Sequence, residues 1–223
     1  MIGGASILAE LCEGRLRSAR LPFSLDIWDL EHKFDKVREC ASAQRVEWGS
    51  CIVWEAKRLD FRHVTSGRSD GVAPVCALGH PGYVGFAHVH LSNLPGFPGP
   101  YFGFSAADFR ATFEDGDRLA LVTNGPEVFA LVRTLDRTLS PQPIGPTEFA
   151  AWSAMYERVF FEATDEKNAD CASGRGASTA LEHGLYEVNK ELCRQLGFAL
   201  YRGLWGRPLA MIFDPGVPKD STL

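Results

Sequence analysis

A chain of 223 residues that is 45% hydrophobic and 23% charged is long enough to bury its own core and too apolar to be disordered. Its net charge of −5, with no stripe of lysine or arginine, argues against a dedicated nucleic-acid surface. No apolar run approaches the roughly 18 residues of a membrane span. The start, Met1 to Ala9, carries no Sec-type leader, so the expected location is the cytoplasm, with leaderless secretion left open.

In chain order, residues 1–25 are ambiguous, a short helix over Leu8–Arg17 being one reading. Residues 26–44 read as a helix, because Ile27, Leu30, Phe34 and Val37 recur at spacings of three and four. Val46–Trp54 reads as a strand interrupted by Gly49, Arg62–Thr65 as a second, and Ser66–Asp70 as a polar turn. Tyr83–His90 is a strand. Leu91–Gly103 is a loop with three prolines and three glycines, and Ala106–Glu114 is a short helix. Leu119–Val122 and Val128–Val132 are apolar strands, and Asn124-Gly125-Pro126 between them predicts an antiparallel pair.

After a proline-rich linker over Asp136–Pro146, an apolar stripe of Phe149, Trp152, Met155, Tyr156, Val159 and Phe160 marks a helix. Thr164–Ser178 is polar and contains glycine. The pattern Thr179-x-x-Glu182 predicts a capping box that opens a last helix, with Leu181, Leu185, Val188, Leu192 and Leu196 on one face. Leu209–Phe213 could add a final strand. None of the six cysteines forms a C-x-x-C pair. They read mostly as small buried residues in a reducing compartment.

The chemistry gathers at His88 and His90. Side chains at i and i+2 of a strand share a face, so two imidazoles there can bind one metal ion. Asp108, from the start of the next helix, adds a carboxylate. Two histidines and one carboxylate leave a fourth tetrahedral position open, which distinguishes a catalytic zinc site from a closed structural one. Zinc lowers the pKa of a water, and a carboxylate nearby can accept the proton and return it to a leaving amine. Glu47 is the candidate, with Glu55 as fallback. The Ser105 hydroxyl could stabilise an oxyanion. Ser105-x-x-Asp108 has a competing reading as a helix N-cap with an acid in the first turn. His80 is a minor alternative ligand, and His63 reads as an ordinary strand-end residue.

Glu47-Trp48-Gly49, His88-Val89-His90 and Ser105-Ala106-Ala107-Asp108, in this order, resemble the JAMM (JAB1/MPN/Mov34) metalloprotease family over about residues 40–135. Two features depart from the family pattern. Leu91 stands where a proline commonly follows the second histidine, and the segment Leu91–Phe104 is longer than usual. The resemblance implies an α/β fold with a cytidine-deaminase-like mixed β-sheet flanked by helices. It also implies Zn2+ held by His88, His90 and Asp108, with Glu47 as acid/base and Ser105 as oxyanion donor. The implied activity is cleavage of a peptide or isopeptide bond, with a protein or peptide partner such as a ubiquitin-like tail. The expected organisation is an N-terminal extension over 1–25, the JAB/MPN-like core over 26–135, and a linker with a helical C-terminal extension over 136–223. A non-catalytic scaffold of the same fold is the second reading. Another metal hydrolase is the third, weakened because an amidohydrolase barrel needs about 250 residues and only about 135 follow the histidines.

Overall fold

Strands that are apolar on both faces belong in the middle of a sheet covered by helices on both sides, and Leu119-Ala120-Leu121-Val122 is such a run. A computed structural model describes residues 4–68, 71–73, 76, 81–91, 103–136, 140, 142–169 and 176–216. The helices are α1 (Gly4–Cys12), α2 (Trp28–Gln44), α3 (Ala106–Glu114), α4 (Pro146–Ala169) and α5 (Gly176–Leu196). The strands are β1 (Ser24–Leu25), β2 (Trp48–Glu55), β3 (Arg58–Ser66), β4 (Tyr83–Val89), β5 (Leu119–Asn124), β6 (Glu127–Arg133), β7 (Phe198–Leu204) and β8 (Leu209–Phe213).

The described strands form one sheet in the order β1-β8-β7-β6-β5-β4-β2-β3. Only β4 and β5 run parallel, with Gly85 opposite Leu119 and His88 opposite Val122. The other neighbours are antiparallel. A parallel pair cannot be joined by a tight hairpin, and α3 is the crossover. This mixed sheet flanked by helices is the α/β arrangement read from the sequence.

Alternation along β5 splits the core in two. Leu119 and Leu121 face Leu30, Phe34 and Val37 of α2 and Leu11 of α1. Ala120 and Val122 face Phe109 and Phe113 of α3, with Trp152 of α4 and Leu185 of α5 on the same side. Close approach explains one glycine: a Cβ on Gly85 would stand 2.0 Å from the carbonyl oxygen of Leu119.

Several expected boundaries move. The helix read over Leu8–Arg17 spans Gly4–Cys12, and Gly14, with φ +69°, takes the left-handed conformation that ends helices. The strand read over Arg62–Thr65 begins at Arg58, because Ala56 and Lys57 adopt φ +49° and +61° and close a two-residue hairpin. Neither residue signals such a turn. Thr179 does not cap a helix, since α5 begins three residues earlier at Gly176. The antiparallel pair flanking Gly125-Pro126 forms as expected, with Asn124 opposite Glu127.

All three segments distinguished in the sequence contribute strands to the one sheet: β1 from 1–25, β2 to β6 from 26–135, β7 and β8 from 136–223. The last segment is therefore not only helical. Phe198–Leu204, which follows the apolar stripe of α5 after Gly197, lies between β6 and β8. Ser18 is stitched to the chain beyond β6, donating from N and Oγ to the two Asp136 carboxylate oxygens at 2.9 Å each. No helix among the described residues is long and apolar enough to cross a membrane.

The cysteines need a correction. Cys51 of β2 and Cys76 form a disulfide, with Cα atoms 5.7 Å apart, so these two are not unpaired thiols of a reducing compartment. The sequence did not show this because tertiary folding brings Cys76 back over β2 from 25 residues away. Cys12 and Cys193 are buried free thiols as expected, and Cys171 lies outside the described residues. Closing a loop of this length restricts the unfolded chain by about 3.5 kcal/mol in the entropic account. Reduction, or Cys51→Ala with Cys76→Ala, is expected to lower the melting temperature by several degrees in a calorimetric scan, whereas Cys193→Ala leaves the effect of reductant unchanged.

Candidate metal centre

The crossover places the site. A chain leaving the carboxyl end of β4 and returning through α3 puts the N-terminus of α3 beside that end of the strand, where open α/β sheets hold their ligands. His88 and His90 stand at that end, on the α3 side of the sheet. The His90 N–H donates to the Thr123 carbonyl of β5 at 2.9 Å, which fixes the chain just beyond the strand. Glu47 arrives from the start of β2. Its N–H donates to Arg68 O and its carbonyl accepts from Gly67 N, each at 2.7 Å.

Three elements thus converge. The Nε2 atoms of His88 and His90 are 2.9 Å apart. Asp108 Oδ1 lies 3.1 Å from His88 Nε2, and Asp108 Oδ2 lies 3.3 Å from His90 Nε2. Glu47, His88 and His90 each offer a ligand atom within 4.8 Å of the others, and all three residues are buried, at 7%, 2% and 6% exposure. Ligand atoms around a tetrahedral zinc at 2.0–2.1 Å are about 3.3 Å apart. Each imidazole nitrogen lies near that distance from one Asp108 oxygen, a different oxygen for each ring, and the imidazole pair is slightly closer. The nitrogen and carboxylate donors also suit zinc chemically.

Ser105 and Asp108 form the helix cap that was one of the two readings held for them. The Ser105 Oγ accepts from Asp108 N at 3.2 Å, and Asp108 Oδ2 accepts from Ser105 N at 2.7 Å, a reciprocal capping box. The same carboxylate faces both imidazoles. Burial works against its charge, but the facing imidazoles overcome this and hold Asp108 well below the usual carboxylate range. The cap and the imidazole contacts are therefore compatible.

The other sequence candidates stay apart. Glu55, at the far end of β2, is partly exposed and pairs with Arg62 at 2.9 Å. His63 lies on exposed β3. His80 and most of the segment 91–104 fall outside the described residues.

A cavity of about 450 Å³ runs from this cluster along α3. Ala111, Thr112 and Asp115 line it at helical spacing, with Phe86 of β4 and Ala120 of β5 among the residues opposite. Its other end reaches Asp117, a residue with no signal in the sequence. Burial pushes the Asp117 carboxyl up to about 8. The hydrogen bond that it accepts from Tyr83 Oη at 2.6 Å opposes this, and Asp115 adds to it.

The support for α3 comes from the C-terminal helices. Asn189 of α5 accepts from Phe104 N at 2.8 Å and donates to Phe104 O at 3.0 Å. Tyr156 Oη of α4 donates to the same carbonyl at 2.7 Å. The residue just before the α3 cap is thus held through both backbone groups. Gly103, at φ +78°, is required there, because a Cβ would stand 2.5 Å from Asn189 Oδ1. Asn189 had a sequence signal: a polar residue four beyond Leu185, inside the apolar face of α5.

Comparison with protein-family models, with curated proteins and with solved structures returned no match.

Two outcomes are expected. Asn189→Ala leaves the buried Phe104 N–H without its acceptor, a loss of about 1–3 kcal/mol, and frees the α3 cap. Urea denaturation measures the first effect, and hydrogen exchange at Ser105 to Asp108 the second. The Asp117 carboxyl keeps its proton in the folded chain up to about pH 8 but releases it near 4 when unfolded. Folding stability therefore falls as pH rises between those values and levels off above them. In melting curves across that range, Asp117→Asn is expected to flatten the slope.

Proposed function

We propose that this chain is a zinc-dependent peptidase or isopeptidase of the JAMM type, acting on a protein or peptide substrate such as a ubiquitin-like tail. The observation that supports this most is the buried cluster of Glu47, His88 and His90, with the Asp108 carboxylate against both imidazoles, drawn from β2's start, β4's end and α3's first turn, in the wall of one cavity. Two histidines and a carboxylate form a ligand set that leaves a position open. When bound, zinc would act as a Lewis acid on a carbonyl and lower the pKa of a water.

The chain's own residues divide the remaining work. His88 and His90 present Nε2, and Asp108 presents its carboxylate, held still by the capping box. Glu47 is buried beside the imidazoles, with its backbone clamped on both sides. From there its carboxylate takes a proton from the attacking water and returns it to the leaving amine. Ser105 Oγ accepts the Asp108 N–H, a bond that does not use its own proton, so the hydroxyl can donate to a developing oxyanion. The cavity along α3 gives an extended segment room to lie beside the cluster.

The test begins with metal content. Chain purified without added chelator is expected to carry one zinc per molecule, and His88→Ala with Asp108→Ala to carry none. On a panel of isopeptide-linked and linear substrates, Glu47→Gln is expected to keep the zinc and lose roughly 10²–10⁴-fold in kcat. A wild-type chain that takes up no zinc, or a Glu47→Gln variant with full activity, overturns the reading.

A further inference from the structure

A histidine that binds a metal through one ring nitrogen is ordinarily oriented by a hydrogen bond from the other, to a carboxylate, a carbonyl or a water. His88 is different. Its Nδ1 is buried and has no hydrogen-bond partner among the described residues. Beside the Asp108 carboxylate at Nε2, two aromatic rings lie against the imidazole. Phe86, two residues earlier on the same face of β4, lies flat against it, with centroids 5.0 Å apart and planes 6° from parallel. His90 meets the His88 ring near its edge, at 4.6 Å and 71°.

The place of the Phe86 ring is in turn prepared by β2. Gly49 lies opposite His88 in the β2–β4 register, and Cys51 lies opposite Phe86. A Cβ at Gly49 would stand 2.6 Å from both Cε2 and Cζ of Phe86. The ring therefore leans along the strand, over the glycine, onto the imidazole. Any other residue at 49 would displace it. The glycine of Glu47-Trp48-Gly49 thus has a physical role, since it makes room for the plate that supports the ligand.

We propose that Phe86, seated over Gly49, is a positioning residue for the metal centre, setting the plane of the His88 imidazole by a flat stack in place of a hydrogen bond to Nδ1; this rests on the metal-binding reading above. Offset stacking of this kind restrains both tilt and rotation of the ring. It leaves the direction of Nε2 defined while Nδ1 has no polar partner among the described residues. Phe86 also lines the cavity, so the same ring meets whatever lies there.

The test uses the full chain with Zn2+ and with Co2+ as a spectroscopic substitute. Phe86→Leu keeps an apolar side chain and removes the flat face. It is expected to weaken zinc binding by ~10–100-fold, the usual effect of losing a ligand's orienting partner, and to alter the intensity of the visible Co2+ bands. Phe86→Tyr retains the plate and is expected to bind as the wild type does. Gly49→Ala, which displaces the ring, is expected to resemble Phe86→Leu. Melting of the metal-free chains separates these effects from unfolding, and Phe86→Met serves as a second non-planar variant if Phe86→Leu does not fold. Wild-type affinity with an unchanged Co2+ spectrum in a folded non-planar variant overturns the proposal while leaving the metal site standing. So does a loss in Phe86→Tyr as large as in Phe86→Leu. A wild-type chain without metal affinity overturns the site itself, and the proposal with it.

Discussion

The Asp108 carboxylate joins two requirements that are usually met by different residues. Through Ser105 N it closes the capping box that starts α3, and through both oxygens it faces the imidazoles at the end of β4. A helix N-terminus favours negative charge, and two imidazoles aimed at one point favour it as well. The crossover helix is therefore anchored to its strand at the place where the cluster forms. Loss of that carboxylate would remove a cap and a candidate ligand together, so stability and metal binding are coupled at this residue.

The parallel pairing of β4 and β5 explains why these groups meet. Antiparallel neighbours joined by a hairpin would have sent the chain back from His90 without a helix. The parallel register, with His88 opposite Val122, obliges the chain to cross over the sheet, and α3 descends from the carboxyl end of β4. Helices α4 and α5 then hold the approach to α3, through Tyr156 and Asn189 on the backbone of Phe104. The C-terminal part of the chain is thus structurally tied to the cluster, and it also supplies β7 and β8 to the sheet.

Much of the candidate site was legible before any coordinates, because its signals are local. His88 and His90 share a face by strand periodicity alone, and Ser105-x-x-Asp108 announces a helix start through its capping chemistry. The apolar strands β5 and β6 and the turn between them follow from composition and Gly125-Pro126. Less was legible where the decisive partner is distant. The hairpin at Ala56-Lys57 has no turn residue to mark it. Phe198–Leu204 borders the helical stripe of α5 and becomes a strand because β6 and β8 supply hydrogen-bond partners on both sides. The Cys51–Cys76 bond and the hold of Asn189 on Phe104 join residues 25 and 85 positions apart.

The sequence by itself nominated candidate ligands and the kinds of element they sit on, since periodicity and capping act over a few residues. Only the tertiary structure decided that Glu47, His88 and His90 share one buried point, that Asp108 caps and faces the imidazoles at once, and that Phe86 lies on His88 over Gly49. Those outcomes depend on strand register and on the crossover between parallel strands. Both are set by packing across the whole sheet rather than by any short run of residues.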